Sequence, residues 1–236
     1  MDDVALVTGA AGALGSEVAR TLAARGSRLA LLDSERARPG LDQLAESLGG
    51  ACVVVGDLAT EATWTEAIAR IERELGATPS QAALIAGAWR GGKPLHEQTS
   101  DEVWRAMMQA NLETVHLGLR ALLPSMVARK HGSVVVIGSR AAVQPETSAR
   151  ASGYAASKAA VVALAKAVAA EVLDFGVRVN ALLPSTMDTP ANRAAMPGVD
   201  PAKWVSLSSA AGVVAFLLGE EARDISGVAL PVYGRA

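Results

Sequence analysis

The run Val4-Ala5-Leu6-Val7-Thr8-Gly9-Ala10-Ala11-Gly12-Ala13-Leu14-Gly15-Ser16-Glu17-Val18 constrains the fold more than any other stretch, because a glycine-rich turn joins an apolar strand pattern to a helical one. Glycines permit a tight turn and close approach to a pyrophosphate, whose charge then faces the orphan N–H groups at the helix start. This is the context that a dinucleotide-binding fingerprint requires, with Gly9, Gly12, Leu14 and Gly15 as its candidate residues. A second apolar run, Leu29-Ala30-Leu31-Leu32, ends in Asp33. An acidic side chain about 20 residues past the glycines can accept hydrogen bonds from an adenosine ribose. The same carboxylate would repel a 2′-phosphate, which favours NAD over NADP; Arg36 and Arg38 follow closely enough to soften that repulsion.

Strand-like runs recur near 4–8, 28–33, 51–56, 81–86, 133–138, 177–183 and 227–232. Between them lie helical patterns near 14–25, 40–48, 61–75, 100–129, 153–175 and 207–219. Such alternation signals a parallel sheet covered on both faces, and the Val/Ile/Leu-rich strands fit burial on both sides. The expected fold is α/β: a single-domain Rossmann fold over residues 1–236, with a doubly wound, seven-stranded parallel sheet. The segment from Pro184 to about Ser206 has prolines and no clear period, which suits a functional or mobile loop.

At 236 residues and 50% hydrophobic content, the chain can bury a full core. A net charge of −2 without a basic run argues against nucleic acid or an anionic membrane surface as partner. Without a signal peptide or an apolar stretch of spanning length, a cytoplasmic protein is expected. Cys52 is the sole cysteine and sits in Ala51-Cys52-Val53-Val54-Val55, which suits a buried structural thiol. Three scattered histidines and this cysteine make no metal-ligand spacing. His96 and His131 read as solvated, and His116 as packed or interfacial.

Chemistry enters with Ser152-Gly153-Tyr154-Ala155-Ala156-Ser157-Lys158. Tyr154 and Lys158 stand at i and i+4, so they share a helix face. A free tyrosine titrates near ~10 and moves protons at neutral pH only when its phenolate is stabilised, which a nearby ammonium can do. The pair suggests proton transfer, although a tyrosine and a solvated lysine also meet this spacing by chance.

Thr8-Gly9 through Gly15, Asp57-Leu58, Ala86-Gly87, Asn111, Ser139, Tyr154, Lys158 and Pro184 through Thr189 stand in an order that resembles the short-chain dehydrogenases/reductases over essentially the whole chain. The chain differs from the family pattern at Ala13, where a glycine is usual, and at Ile85-Ala86-Gly87, where Asn-Ala-Gly is usual. The resemblance implies a catalytic set of Asn111, Ser139, Tyr154 and Lys158. In it Tyr154 exchanges a proton with a carbonyl or alcohol oxygen, Ser139 stabilises that oxygen, Lys158 holds the ribose and lowers the Tyr154 pKa, and Asn111 holds a proton-relay water. Asn111 kinking a long helix and Ser139 capping the next segment are the structural alternatives. For the cofactor, the resemblance implies Asp57 and Leu58 at the adenine, Ala86 and Gly87 along the nucleotide, and Pro184 and Thr189 at the nicotinamide. It also implies a homo-oligomer, a tetramer or dimer, through the long fourth and fifth helices.

Gly12-Ala13-Leu14-Gly15-Ser16, Ala86-Gly87-Ala88-Trp89-Arg90-Gly91-Gly92, and Asp188 to Asp200 with Trp204 resemble quinonoid dihydropteridine reductases. That likeness implies a planar substrate on Trp89, with Asn192 and Arg193 holding a lid or meeting substrate. Trp204 lines the lid or anchors it. Arg140 and Arg150 bracket the segment between Ser139 and Tyr154, part of the substrate cleft in the family, and either attract an anionic substrate or form an exposed pair. Three functions follow: transfer of a hydride between nicotinamide and a small carbonyl or alcohol, reduction of a quinonoid pterin, or nucleotide sensing without catalysis.

Overall fold

In the computed structural model, which describes residues 3–235, the first apolar run becomes the central strand β1 (Val4–Thr8). Residues 1, 2 and 236 of the expected domain span lie outside that description. β1 pairs in parallel with β2 (Arg28–Asp33) on one side and β4 (Gln81–Leu84) on the other. With β3 (Cys52–Val55), β5 (Gly132–Ile137), β6 (Val177–Pro184) and β7 (Ala229–Val232), the sheet has the order β3-β2-β1-β4-β5-β6-β7, and every pairing is parallel. The strand order reverses between β1 and β4, and a crevice at such a switch point, beyond the carboxyl ends of the strands, is where open α/β sheets bind ligands. This is the seven-stranded Rossmann architecture expected from the alternation of patterns.

All five residues of β1 are buried because each face has its own helical layer. Side chains alternate across a strand. Val4 and Leu6 therefore join one core with Trp64 and Ile71 of α3 (Glu61–Leu75), Val115 and Leu119 of α5 (Thr114–Arg129), and Val161 and Ala165 of α6 (Ser152–Val172). Ala5 and Val7 join the other, with Val18 of α1 (Ala13–Ala24), Leu41 of α2 (Arg38–Ser47) and Val214 of α8 (Leu207–Leu218). Full burial of a leucine or valine contributes roughly 1.5–3 kcal/mol, so the two cores account for the absence of polar alternation in the strands. The edge strand β7 is only half covered, and its exposed Pro231 suits an edge, where no neighbour requires its missing N–H.

Three expectations change in detail. The single helix expected over 100–129 is broken into α4 (Glu102–Met107), a π-helical turn (Met108–Glu113) and α5. The wider turn carries Asn111, which is 0% exposed and whose amide binds three groups outside its own helix. The 184–206 segment is anchored at both feet: Asp188 N donates to Val205 O at 2.8 Å and Val205 N to Thr186 O at 2.9 Å. Between the feet lies the short helix α7 (Pro190–Ala195). His116 is exposed on α5 rather than packed within the chain, because the inward positions around it belong to Val115 and Leu119. No helix among the described residues is long and apolar enough to cross a membrane.

Candidate active site

The glycine turn sits at the carboxyl end of β1. Gly9 has φ +63, and a Cβ there would lie 3.0 Å from Ala86 N, so the turn after β1 packs directly on the residue following β4. A Cβ on Gly15 would overlap the Gly9 carbonyl oxygen. Gly12, the residue before α1, gives that helix no side-chain cap, and no acidic residue stands in its first turn. The positive end of the helix dipole thus faces the crevice uncompensated, an arrangement that fits a diphosphate. Leu14 is buried beneath the turn. Asp33, ending β2, accepts from Ala11 N at 3.1 Å through one oxygen and from Ser34 N at 2.7 Å through the other. Each carboxylate oxygen keeps lone pairs for ribose hydroxyls. Asp57 caps its own turn by accepting from Ala59 N, while Leu58 is buried and its carbonyl accepts from Trp64 Nε1.

A connected polar set lies on the other side of Gly87. A Cβ on Gly87 would be 2.7 Å from Asn111 Oδ1 and 3.3 Å from Lys158 Nζ, so these two side chains converge on that glycine. Asn111 Oδ1 accepts from Ala88 N at 2.9 Å, and its Nδ2 donates to Ala88 O at 3.1 Å and Ser157 Oγ at 3.0 Å. Ser157 Oγ donates back to Tyr154 O, which ties the π turn to the first turn of α6. Lys158 Nζ donates to Ile137 O at 2.8 Å, two residues before Ser139. Ser139 Oγ accepts from Ala141 N and meets the Tyr154 hydroxyl. Ser139 therefore caps the following turn, as its structural alternative held, while also touching Tyr154. Asn111 likewise sits at a helix irregularity and in the polar set together.

Burial raises the Tyr154 phenol above its usual value, and the Ser139 hydrogen bond works against that rise. Burial also pushes Lys158 down to about 8. The expected downward pull of Lys158 on Tyr154 is not what this arrangement gives, because the ammonium is turned to the Ile137 carbonyl and desolvation dominates both groups. Burial, with Glu74 beside it, pushes the Cys52 thiol up to about 12, as suits an inert core cysteine.

The substrate side departs most from expectation. Trp89 is 63% exposed, with its ring near Gly91. Trp204 is 6% exposed, the burial that an anchor of the loop requires. Arg193 pairs with Asp188 at 2.6 Å, and Asn192 Nδ2 donates to Met187 O at 2.8 Å, so both hold the loop together from within. Thr189 Oγ1 accepts from Asn192 N and keeps its own proton to donate, while Pro184 closes β6 in a buried position. Arg140 lies over the Tyr233 ring and is half buried, while Arg150, at φ +71, is exposed and accepts from Gly92 N through its backbone carbonyl, so the two do not form one exposed pair.

Sequence reasoning gave no separate role to two residues that connect the site. Thr8 Oγ1 accepts from Ile85 N and Ala86 N, holding the ends of β1 and β4 together. Ser157 links Asn111 to Tyr154. Its position one turn past Tyr154 was the available signal; for Thr8 it was the strand end. Tyr233 carried no local signal.

Comparison with known proteins gives the family. Residues 3–199 match the family described as short chain dehydrogenase. The 2,5-dichloro-2,5-cyclohexadiene-1,4-diol dehydrogenase LinX of Sphingobium indicum is 32% identical over 98% of this chain and 94% of its own length. Galactitol 2-dehydrogenase (L-tagatose-forming) of Cereibacter sphaeroides is 38% identical over 78% of this chain and 71% of its own. Among solved structures, NAD+-bound xylitol dehydrogenase superposes with a TM-score of 0.88 at 27% identity, covering 99% of this chain and 98% of that one. The chain belongs to the short chain dehydrogenase family and is an oxidoreductase that acts with a nicotinamide cofactor on an alcohol or carbonyl group.

Proposed function

We propose that residues 3–235 work as one nucleotide-binding unit that reduces a small, flat or moderately apolar carbonyl compound or oxidises the matching alcohol, with Tyr154 moving the proton. The observation that carries this reading is the convergence of the Gly9 turn, through Ala86 and Gly87, on the buried side chains of Asn111, Lys158 and Ser139, with Tyr154 against Ser139. A nucleotide sensor without catalysis needs only the first part of that set.

A nicotinamide cofactor, when bound, gives the hydride in reduction and takes it in oxidation. Gly9, Gly12, Leu14, Gly15 and the start of α1 hold its diphosphate. Asp33 accepts from the adenosine ribose and favours NAD; Asp57 and Leu58 flank the adenine, and Ala86 and Gly87 let the nucleotide pass close to the backbone. Lys158 binds the second ribose, and Pro184 and Thr189 hold the carboxamide, for which Thr189 retains a donor proton. Tyr154, kept protonated by burial, donates its proton to the carbonyl oxygen, and Ser139 Oγ donates to the same oxygen as negative charge develops. Asn111, locked by Ala88 and Ser157, fixes the backbone beside Lys158 through which protons are replaced.

Trp89 offers an open aromatic face, which supports a planar substrate; a quinonoid pterin is the second reading that this exposure favours. For assembly, Ala159 and Ala163 are exposed along α6, a small-residue stripe that supports close helix pairing between copies in a dimer or tetramer.

The test is a panel of ketones, quinones, quinonoid pterins and secondary alcohols with NADH or NADPH in the reductive arm and NAD+ or NADP+ in the oxidative arm. Ketone or quinone reduction preferring NADH is expected, with Asp33→Ala narrowing the preference and Trp89→Ala raising KM more for planar than for small aliphatic substrates. Nucleotide binding without turnover anywhere on the panel would contradict the proposal.

A further inference from the structure

Three strand ends meet behind the substrate side of the crevice, and one residue touches all of them. Tyr233 follows the last residue of β7. Its carbonyl accepts a 2.7 Å hydrogen bond from Ser185 Oγ, and the neighbouring Val232 carbonyl accepts one of 3.1 Å from Ser185 N, so the residue after β6 is tied twice to the end of β7. On its other side the Tyr233 ring lies beneath the Arg140 guanidinium, with Arg140 Cζ 5.3 Å from the ring centroid. Arg140 directly follows Ser139, and its Nε donates to Gln144 Oε1 at 2.6 Å. Past Tyr233, Arg235 N donates to Lys203 O at 2.9 Å and Arg235 Nη2 to Ala202 O at 3.3 Å, which brings the chain against the returning foot of the 184–206 loop.

A guanidinium over an aromatic face is attracted by the ring quadrupole, more strongly as water is excluded. Arg140 is half buried, and the turn it begins is short: Ala142 N donates to Ser139 O and Val143 N to Arg140 O. Ser139 Oγ points into that turn through Ala141 N and also meets the Tyr154 hydroxyl. Whatever fixes Arg140 therefore fixes the backbone that aims Ser139.

We infer that Tyr233 is a positioning residue: its ring holds Arg140, and through Arg140 the turn that presents Ser139 to Tyr154, while its carbonyl holds the first residue of the substrate-side loop. The inference rests on the proposed roles of Ser139 and Tyr154. It also gives Arg140 a purpose other than attracting an anionic substrate. The ring is the element that acts, so phenylalanine should replace tyrosine and leucine should not.

The experiment measures kcat, KM and NADH affinity, with hydrogen exchange of the Ala141, Ala142 and Val143 amides, in Tyr233→Phe, Tyr233→Leu, Arg140→Gln and the Tyr233→Leu/Arg140→Gln double variant. Tyr233→Leu is expected to lower kcat about tenfold while KM and NADH affinity stay within about twofold, and to speed exchange in the turn. Tyr233→Phe should match the parent in both readouts, Arg140→Gln should resemble Tyr233→Leu, and the double variant should be no worse than either single one. Should Tyr233→Leu fail to fold, Tyr233→Phe and Arg140→Gln carry the same test. Tyr233→Phe as damaging as Tyr233→Leu, additive losses, or an Arg140→Gln variant with unchanged kcat and exchange would overturn the inference. Tyr154→Phe serves as the control: if it leaves turnover intact, the proposed catalytic role fails, and the exchange data still decide whether Tyr233 orders the Ser139 turn.

Discussion

The two walls of the crevice are built on different principles. At the end of β1 the site is made of backbone: Gly9 in a left-handed conformation against Ala86, Gly15 against the Gly9 carbonyl, and an uncapped helix start. Along β5, β6 and β7 it is made of side chains that find partners far away in sequence, such as Arg140 on Tyr233 and Ser185 Oγ on the Tyr233 carbonyl. A backbone site tolerates almost no substitution but can be recognised from a few adjacent residues. A side-chain site can be varied piece by piece, so one family fold can serve different substrates on a common nucleotide platform.

The largest effect is expected where the backbone wall is broken. Gly15→Val places a branched side chain where even a Cβ overlaps the Gly9 carbonyl, and the cost should exceed about 4 kcal/mol, in the range reserved for severe core or backbone conflict. Denaturant unfolding and NADH titration check this; a folded variant with parental NADH affinity would break the comparison. On the side-chain wall, Trp204→Ala removes a buried anchor and is expected to destabilise the protein by roughly 3–5 kcal/mol, with hydrogen exchange rising first in the 184–206 loop. Uniform exchange across the sheet instead would show that the loop is not a separately anchored unit.

A smaller, pH-dependent effect follows from Lys158, which joins the walls. Its folded pKa is about 8 against an ordinary 10.5, so the unfolded chain binds the extra proton between those values. Stability rises with pH where the unfolded state holds more protons. The penalty of burying the charged amine is therefore present below pH ~8, relieved through that window and absent above ~10.5, a span of roughly 3 kcal/mol. Measured by denaturant unfolding, the stability of the parent relative to Lys158→Met should increase from pH 8 to 10.5. A constant difference would mean that Lys158 is not desolvated as the structure has it.

The same contrast explains what the sequence made legible. Apolar runs placed all seven strands to within a few residues, since strands buried on both faces leave little room for other patterns. Gly9, Gly15, Asp33, Tyr154 and Lys158 announced themselves through local spacing. Partnering did not. An anchoring Trp204 and a helix irregularity at Asn111 stood only as alternatives, and nothing local showed that Asp188 holds Arg193 or which partners Asn111 takes, because each outcome depends on contacts settled only after the chain has folded. Tyr233, separated from Arg140 by the whole of α6, β6 and β7, is the extreme case.

Tyr154→Phe separates proton transfer from nucleotide binding most directly when NADH affinity and kcat are measured on the same preparation. The phenyl ring preserves packing on α6 and deletes only the hydroxyl that meets Ser139. NADH affinity should stay within about twofold of the parent while kcat falls by roughly 10²–10⁴, the contribution typical of general acid catalysis. A kcat loss below about tenfold, or a matching collapse of NADH affinity, would contradict that separation.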